Sequence, residues 1–286
     1  MKIAVLTAPA KVNLCLFVGP LREDGRHELV TLFQTVSLAD SLAVSDSPSG
    51  RDEVVCDDVE GPNLVGDALA GLRASGWAAP PVRVHIVKRI PVAAGMGGGS
   101  ADAAALLRYA PTLAAVPDEA VAQLAAQLGA DVPGRLQAGA VLGTGGGEVV
   151  SPALALAEHA LLVLPQDFGL STAAVYREAD RLGLPRPGAE LDRLRAELEG
   201  WLAEPSQPPP ESLIVNDLQA AAVSLRPEIE AGLEVLREVG ARSTLVCGSG
   251  PTVIGVFWGP TAVVHARAAA EGLRARYPRA RAVEPV

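Results

Sequence analysis

Aromatic residues are scarce in this chain: four Phe, three Trp and three Tyr make up 3% of 286 residues. Lysine is scarcer still, with Lys2, Lys11 and Lys88 standing among 24 basic residues. Under a base-composition bias that converts tolerant lysines to arginine, a surviving lysine points to a need for its compact ammonium. The three cysteines, Cys15, Cys56 and Cys247, form no CxxC or Cys/His spacing, and His27, His85, His159 and His265 are far apart. No disulfide framework or zinc site is therefore legible, and a reduced, cytoplasmic setting is expected. No run approaches the roughly 18 consecutive apolar residues of a membrane span, although mean hydropathy is +0.26. Basic clusters are absent too. With a net charge of −9, no nucleic-acid or membrane partner is expected.

What is present suits a folded enzyme. Hydrophobic residues at 49% and charged residues at 20% exclude a disordered chain. The length allows one large or two small domains with a substantial core. The opening MKIAVLTAPAKVNLCLF is interrupted by Lys11 and Asn13 and reads as two strands, 2–6 and 11–18, rather than a leader. Further strands are expected over 28–37, 41–44 and 82–88, the last alternating with His85 on its polar face. Asn63 is placed to cap a helix over 64–75 that Gly76 ends. A helix over 118–128 leads to a tight loop, Gly129-Ala-Asp-Val-Pro-Gly134. The second half reads as strand 159–165, helices 172–182, 189–203, 215–224 and 227–239, strands 244–247 and 252–257, helix 261–275 and a last strand, 280–285. Strands dominate the first third and helices the second half, which makes the fold α+β.

The strongest local signal is Gly95-Met-Gly-Gly-Gly-Ser100 running into an alanine-rich helix. Glycines let backbone approach an anion, and a helix start offers unpaired N–H groups and a positive dipole end. A flexible linker capped by Ser100 is the plainer alternative. No Gly-Lys-Ser/Thr follows, so this is not a Walker A loop, and Ser100 stands where a dinucleotide fingerprint needs glycine. The cation must come from elsewhere, and Lys11 and Lys88 are the candidates. Lys11, in an apolar strand, either snorkels from a strand end or meets a buried anion. Asp131 reads alone as a turn aspartate, but the rigid loop made by Pro133 also suits a positioned catalytic group. Gly248-Ser-Gly-Pro251 is either a tight hairpin or a second close-approach loop.

Taken in order, APAK (8–11), the glycine loop and GSGP resemble the three motifs of the GHMP kinase superfamily. Segments 9–36, 91–107, 128–133, 171–176, 216–218 and 248–253 are most similar to the branch acting on 4-diphosphocytidyl-2-C-methyl-D-erythritol. The resemblance runs from residue 9 to about 257. It implies an α+β, two-domain fold with a mixed sheet and helices in each half and a deep cleft between them. The halves would be 1–150, binding ATP and phosphate, and 151–286, with the last strand able to return to the first half. The activity implied is transfer of the ATP γ-phosphoryl group to the 2-hydroxyl of this small cytidylyl sugar alcohol, with Mg²⁺, by a cytoplasmic monomer or homodimer.

By the family pattern Asp131 is the base and Lys11 its charged partner. Pro91, Val92, Ala93, Ala94, Gly95, Met96, Gly97, Gly98, Gly99, Ser100 and Ala101 would wrap the phosphates, with Asn63 and Lys88 near the nucleoside. Asn13, Arg26, His27, Thr172, Tyr176, Gly248, Ser249 and Gly250 would hold the acceptor, Tyr176 beside the cytosine. The metal ligands are not legible. Two departures stand out. Arg26 replaces the usual aromatic before His27, and Gly134-Arg135-Leu136 replaces the bulky apolar residues that follow Pro133. The remaining readings are a GHMP kinase for a smaller alcohol and a non-catalytic nucleotide-binding protein, which would be expected to lack Lys11 or Asp131.

Overall fold

Two long strands open the chain: β1 (Ala4–Leu21) and β2 (His27–Asp46). Each replaces two shorter strands expected from sequence. Lys11 and Asn13 look like interruptions, yet both are buried and hydrogen-bonded within β1. Gly25, at φ +79°, turns the chain between the strands, a conformation glycine adopts without steric cost. In the computed structural model the described residues are 3–57, 59 and 61–286; Met1, Lys2, Asp58 and Glu60 lie outside them.

The chain forms two compact units, each assembled from several segments. The first comprises Met1–Ala10, Leu38–Ile90 and Gly97–Ala138. In it the end of β2 pairs antiparallel with β4 (Val82–Val87), Leu42 opposite Ile86 and Val44 opposite Val84. β3 (Glu53–Val55) lies parallel to β4. Helices α1 (Leu64–Ala74), α2 (Gly98–Leu113), α3 (Asp118–Leu128) and the single turn α4 (Val132–Arg135) complete it. Asn63 caps α1 as expected, accepting the Val65 N–H at 2.9 Å. The core gathers Leu42, Val84, Leu69, Leu72, Leu106 and Leu107. The small buried face Ala103–Ala105 lets α2 be surrounded closely, because interiors are packed to crystal density.

The second unit comprises Lys11–Ser37, Pro91–Met96 and Gly139–Val286. Here the start of β2 pairs with β5 (Ala140–Thr144), which forms a hairpin with β6 (Val149–Pro152). A four-stranded antiparallel sheet has the order β10 (Arg281–Val283), β7 (His159–Leu164), β9 (Val253–Trp258), β8 (Ser243–Val246). Past β10, Pro285 bridges Val36 of β2. Helices α5 (Thr172–Leu182), α6 (Gly188–Leu202), α7 (Gln219–Leu225), α8 (Glu228–Glu238) and α9 (Ala262–Leu273) accompany the sheet. α7 starts four residues later than expected, because Asn216 is taken up by a bridge to Leu16 and by side-chain bonds to backbone.

Candidate active site

In the second unit Lys11, Asn13 and the GSGP loop converge. The Lys11 ammonium is buried and donates to Asn13 Oδ1 at 2.7 Å. Asn13 in turn donates to Thr31 Oγ1 at 2.8 Å, and Thr31 to the Cys15 carbonyl at 2.7 Å. This chain orients Asn13, because an amide whose Nδ2 is spoken for must present its oxygen to Lys11. The Lys11 N–H donates to the Met96 carbonyl at 3.1 Å, tying β1 to the glycine loop. Gly95 has φ +77°, and a Cβ there would stand 2.1 Å from the Cys247 carbonyl oxygen. Only glycine permits that approach. A Cβ on Gly248 would meet Asn13 Oδ1 and the Gly95 carbonyl at 3.2 Å, and Lys11 Nζ at 3.5 Å. GSGP is therefore both a hairpin turn between β8 and β9 and a close-approach loop. Asn216 holds it, donating to the carbonyls of Val246 and Gly248 at 2.7 Å each. Of the loop's remaining residues here, Ala94 and Met96 are buried, Pro91 is partly exposed, and Val92 and Ala93 face outward. Ala93 takes φ +53°.

The same unit holds the residues expected at the acceptor base. His27 is buried and stacks on Tyr176, ring centroids 5.7 Å apart and planes 20° from parallel. Its Nδ1 lies 2.9 Å from the Gly19 carbonyl and its Nε2 3.1 Å from Asp180. Asp180 is on α5, one turn beyond Tyr176. Thr172 and Ser249 share a hydroxyl–hydroxyl bond of 2.9 Å. That bond links the start of α5 to GSGP, where Gly250 turns at φ +82°. The Arg26 guanidinium is engaged by Asp24 at 2.9 Å and Glu148 at 3.3 Å.

In the first unit Gly97 takes φ +67° and α2 begins at Gly98. No side chain caps this helix, and its first turn carries no acid. The N–H groups of Gly98, Gly99 and Ser100 precede the first intrahelical bond, from Ala101 to the Gly97 carbonyl at 2.8 Å. Such a start is a ready anion site. Lys88 contacts two buried carboxylates: its ammonium lies 2.5 Å from Asp40 and 2.8 Å from Asp102. Asp40 also accepts the N–H groups of Arg89 and Ile90. The turn entering the glycine loop is thus built around one side chain. Burial pushes the Asp102 carboxyl up to about 7, against the pull of Lys88 and with Asp40 adding to the rise. Burial also opposes the Lys88 charge, but its two partners outweigh this and raise its pKa. One Asp102 oxygen is buried without a hydrogen-bond partner among the described residues. A Cβ on Gly98 would press on Lys88 Nζ and Ile90 at 3.2 Å. Asp131 is half-buried at the N-terminus of α4. The expected tight loop is there a helical turn, because Pro133 at its start needs no N–H partner.

Asp40, Asp102, Thr31, Asp180 and Arg135 were not singled out from sequence as site residues. An acid inside an alanine-rich helix (Asp102) and one inside an apolar strand (Asp40) are signals that could have found them, since unpaired carboxylates are rarely buried. Thr31 and Asp180 carry no such signal.

Comparison with known proteins gives the family. Residues 63–144 match the N-terminal domain of GHMP kinases and residues 204–277 their C-terminal domain. A 4-diphosphocytidyl-2-C-methyl-D-erythritol kinase of Cutibacterium acnes is 42% identical over 263 residues, covering 85% of this chain and 82% of the relative. One of Nocardia farcinica is 43% identical over 262 residues, covering 87% and 83%. A crystal structure of a 4-(cytidine 5'-diphospho)-2C-methyl-D-erythritol kinase superposes with a TM-score of 0.77 at 38% identity, covering 99% of this chain and all of the other. A homoserine kinase from Cytophaga hutchinsonii, at 18% identity and a TM-score of 0.71, shares the fold. The chain belongs to the GHMP kinases, and within them to the 4-diphosphocytidyl-2-C-methyl-D-erythritol kinase family.

Proposed function

We propose that this protein uses ATP to phosphorylate the 2-hydroxyl of 4-diphosphocytidyl-2-C-methyl-D-erythritol, with Asp131 as base and Lys11 as its charged partner. The observation that carries the residue assignment is the buried Lys11 ammonium, oriented by Asn13 and joined through its backbone to the glycine loop. A lysine sealed in this way is not snorkelling, and a buried cation needs an anion to face. Asp131 accepts the hydroxyl proton as the acceptor oxygen bonds to the γ-phosphorus. The bond from that phosphorus to the bridging oxygen breaks, and ADP leaves. Such transfers need in-line positioning and screening of charge more than covalent help. The uncapped start of α2, over Gly98–Ser100, supplies N–H groups to the phosphates. Lys88, held by Asp40 and Asp102, supports the turn that leads into the loop.

No group of three or more His, Cys, Asp or Glu side chains gathers into a metal cage among the described residues. That fits Mg²⁺ carried in by ATP, since this ion is held largely by substrate phosphates and water with one or two protein oxygens. Ser100 and the unpartnered oxygen of Asp102 are the donors available near the helix start. Mg²⁺ would screen phosphate charge. The His27–Tyr176 stack favours a base-bearing acceptor over a smaller alcohol. The phosphate-binding role is assigned to the half 1–150 and the chain to the cytoplasm, as a monomer or homodimer. No described helix is long and apolar enough to cross a membrane.

A coupled ADP-release assay with and without the cytidylyl acceptor tests the reaction. Asp131→Asn keeps shape and removes the proton acceptor, so turnover should fall about 10²–10⁴-fold with both substrates still bound. A turn aspartate without a catalytic role would instead lower the melting temperature and leave turnover per folded molecule near normal.

A further inference from the structure

Arg135 stands four residues after Asp131, at the end of α4, and only 2% of its surface is exposed. A buried guanidinium is costly, and an apolar side chain of similar volume would fill the same space at no such cost. The observed hydrogen bonds show what the guanidinium adds. Nη2 donates to the carbonyls of Pro9, at 2.9 Å, and Ala10, at 3.1 Å. These residues immediately precede Lys11. The Ala10–Lys11 peptide is therefore held at both ends: its carbonyl by Arg135 and its N–H by the Met96 carbonyl at 3.1 Å. With that plane fixed and Nζ bound to Asn13, both the root and the tip of the Lys11 side chain are set. Arg108 of α2 reinforces the arrangement, donating to the Arg135 carbonyl and, at 3.4 Å, to that of Thr7. Two arginines thus tie the Asp131-bearing turn to the strand backbone leading into Lys11. Nη2 serves both carbonyls, and the rigid guanidinium plane fixes the directions of its two N–H bonds, whereas the donors of an ammonium on a flexible stem rotate freely.

We propose that Arg135 is a positioning residue for phosphoryl transfer, fixing the strand backbone at Pro9 and Ala10 that leads directly into Lys11. The inference rests on the assignment of Lys11 and Asp131 as the catalytic pair. Its effect falls on turnover, because a displacement of about 1 Å at a reacting group can cost about a hundredfold while ground-state binding persists.

The test uses the full-length Arg135→Met and Arg135→Lys proteins, with turnover counted per folded molecule and KM measured for ATP and for the cytidylyl acceptor. Arg135→Met should lose ten- to hundredfold in kcat, with both KM values within about threefold of wild type. Arg135→Lys, which keeps a charged donor without the rigid plane, should recover part of that loss. A folded Met variant with kcat within threefold of wild type overturns the inference, as does a loss confined to KM. If Arg135→Met does not fold, Arg135→Lys decides. Threefold or greater loss of kcat at unchanged KM supports positioning; wild-type kcat, or failure to fold, overturns it. Asp131→Asn assayed alongside separates the two levels. If it turns over normally, the catalytic assignment fails. If it is inactive while both Arg135 variants are normal, only the positioning role fails.

Discussion

Lys88→Met removes the one cation that lies between two buried carboxylates. The side chains of Asp40 and Asp102 are 0% and 3% exposed, and that of Lys88 12%. Breaking a buried ion pair from one side costs about 3–5 kcal/mol, because the remaining charge is left without compensation. At about 2–4 °C per kcal/mol for a domain of 150–250 residues, melting should fall by about 6–20 °C. The loss should depend on pH, and the sign follows from Asp102. Its carboxyl is already raised to about 7 with Lys88 present and would rise further without it. A folded-state pKa above the unfolded value gives stability that is complete below about pH 4, the ordinary carboxyl range, and is lost as pH rises through the folded value. The deficit of the variant should thus be smaller at pH 5.5 than at pH 8. Adding Asp102→Asn to Lys88→Met should restore part of the stability, a coupling that a double-mutant cycle measures. The assay is calorimetry at both pH values, with KM for ATP measured on the same samples. A melting temperature within about 2 °C of wild type, together with a raised KM for ATP, would refute the argument and place the ammonium on the nucleotide.

Other perturbations probe the rest of the site. Tyr176→Ala should raise the KM for the cytidylyl acceptor, since base–aromatic stacking is worth about 1–3 kcal/mol, and leave that for ATP nearly unchanged; equal rises in both would make Tyr176 a packing residue. Lys11→Arg keeps the charge but not the compact shape, and should cut turnover severely in the ADP-release assay; an active variant would mean that bulk positive charge suffices there. Gly95→Ala places a methyl 2.1 Å from the Cys247 carbonyl and adds about 1–2 kcal/mol of left-handed strain. Both stability and turnover should drop, and a thermal melt matching wild type would show that the two loops part easily.

The local elements were legible in the sequence because their determinants are local. The Asn63 cap, the alternation of 82–87 and the glycine start of α2 each follow from residues within one turn or one pleat. The same holds for the glycine loop, Lys11 and Asp131 as candidates, since scarce lysine and clustered glycine are visible without a fold. Pairings between distant segments were not. β1 reads as interrupted at Lys11 and Asn13, and Asp40 falls between the strands expected over 28–37 and 41–44, because a polar residue in a strand reads as exposed until its partner is known. Those partners lie far along the chain: Thr31 for Asn13, and Lys88 with the Arg89 and Ile90 backbone for Asp40. Arg135 is the sharpest case. In sequence it is a departure from an apolar pattern, and its acceptors, the carbonyls of Pro9 and Ala10, lie 126 and 125 residues away and carry no side-chain signature. Residue types and spacing determined which groups could do the chemistry. Tertiary structure alone decided which charges are buried and what holds them, because desolvation and long-range hydrogen bonding depend on neighbours in space rather than in sequence.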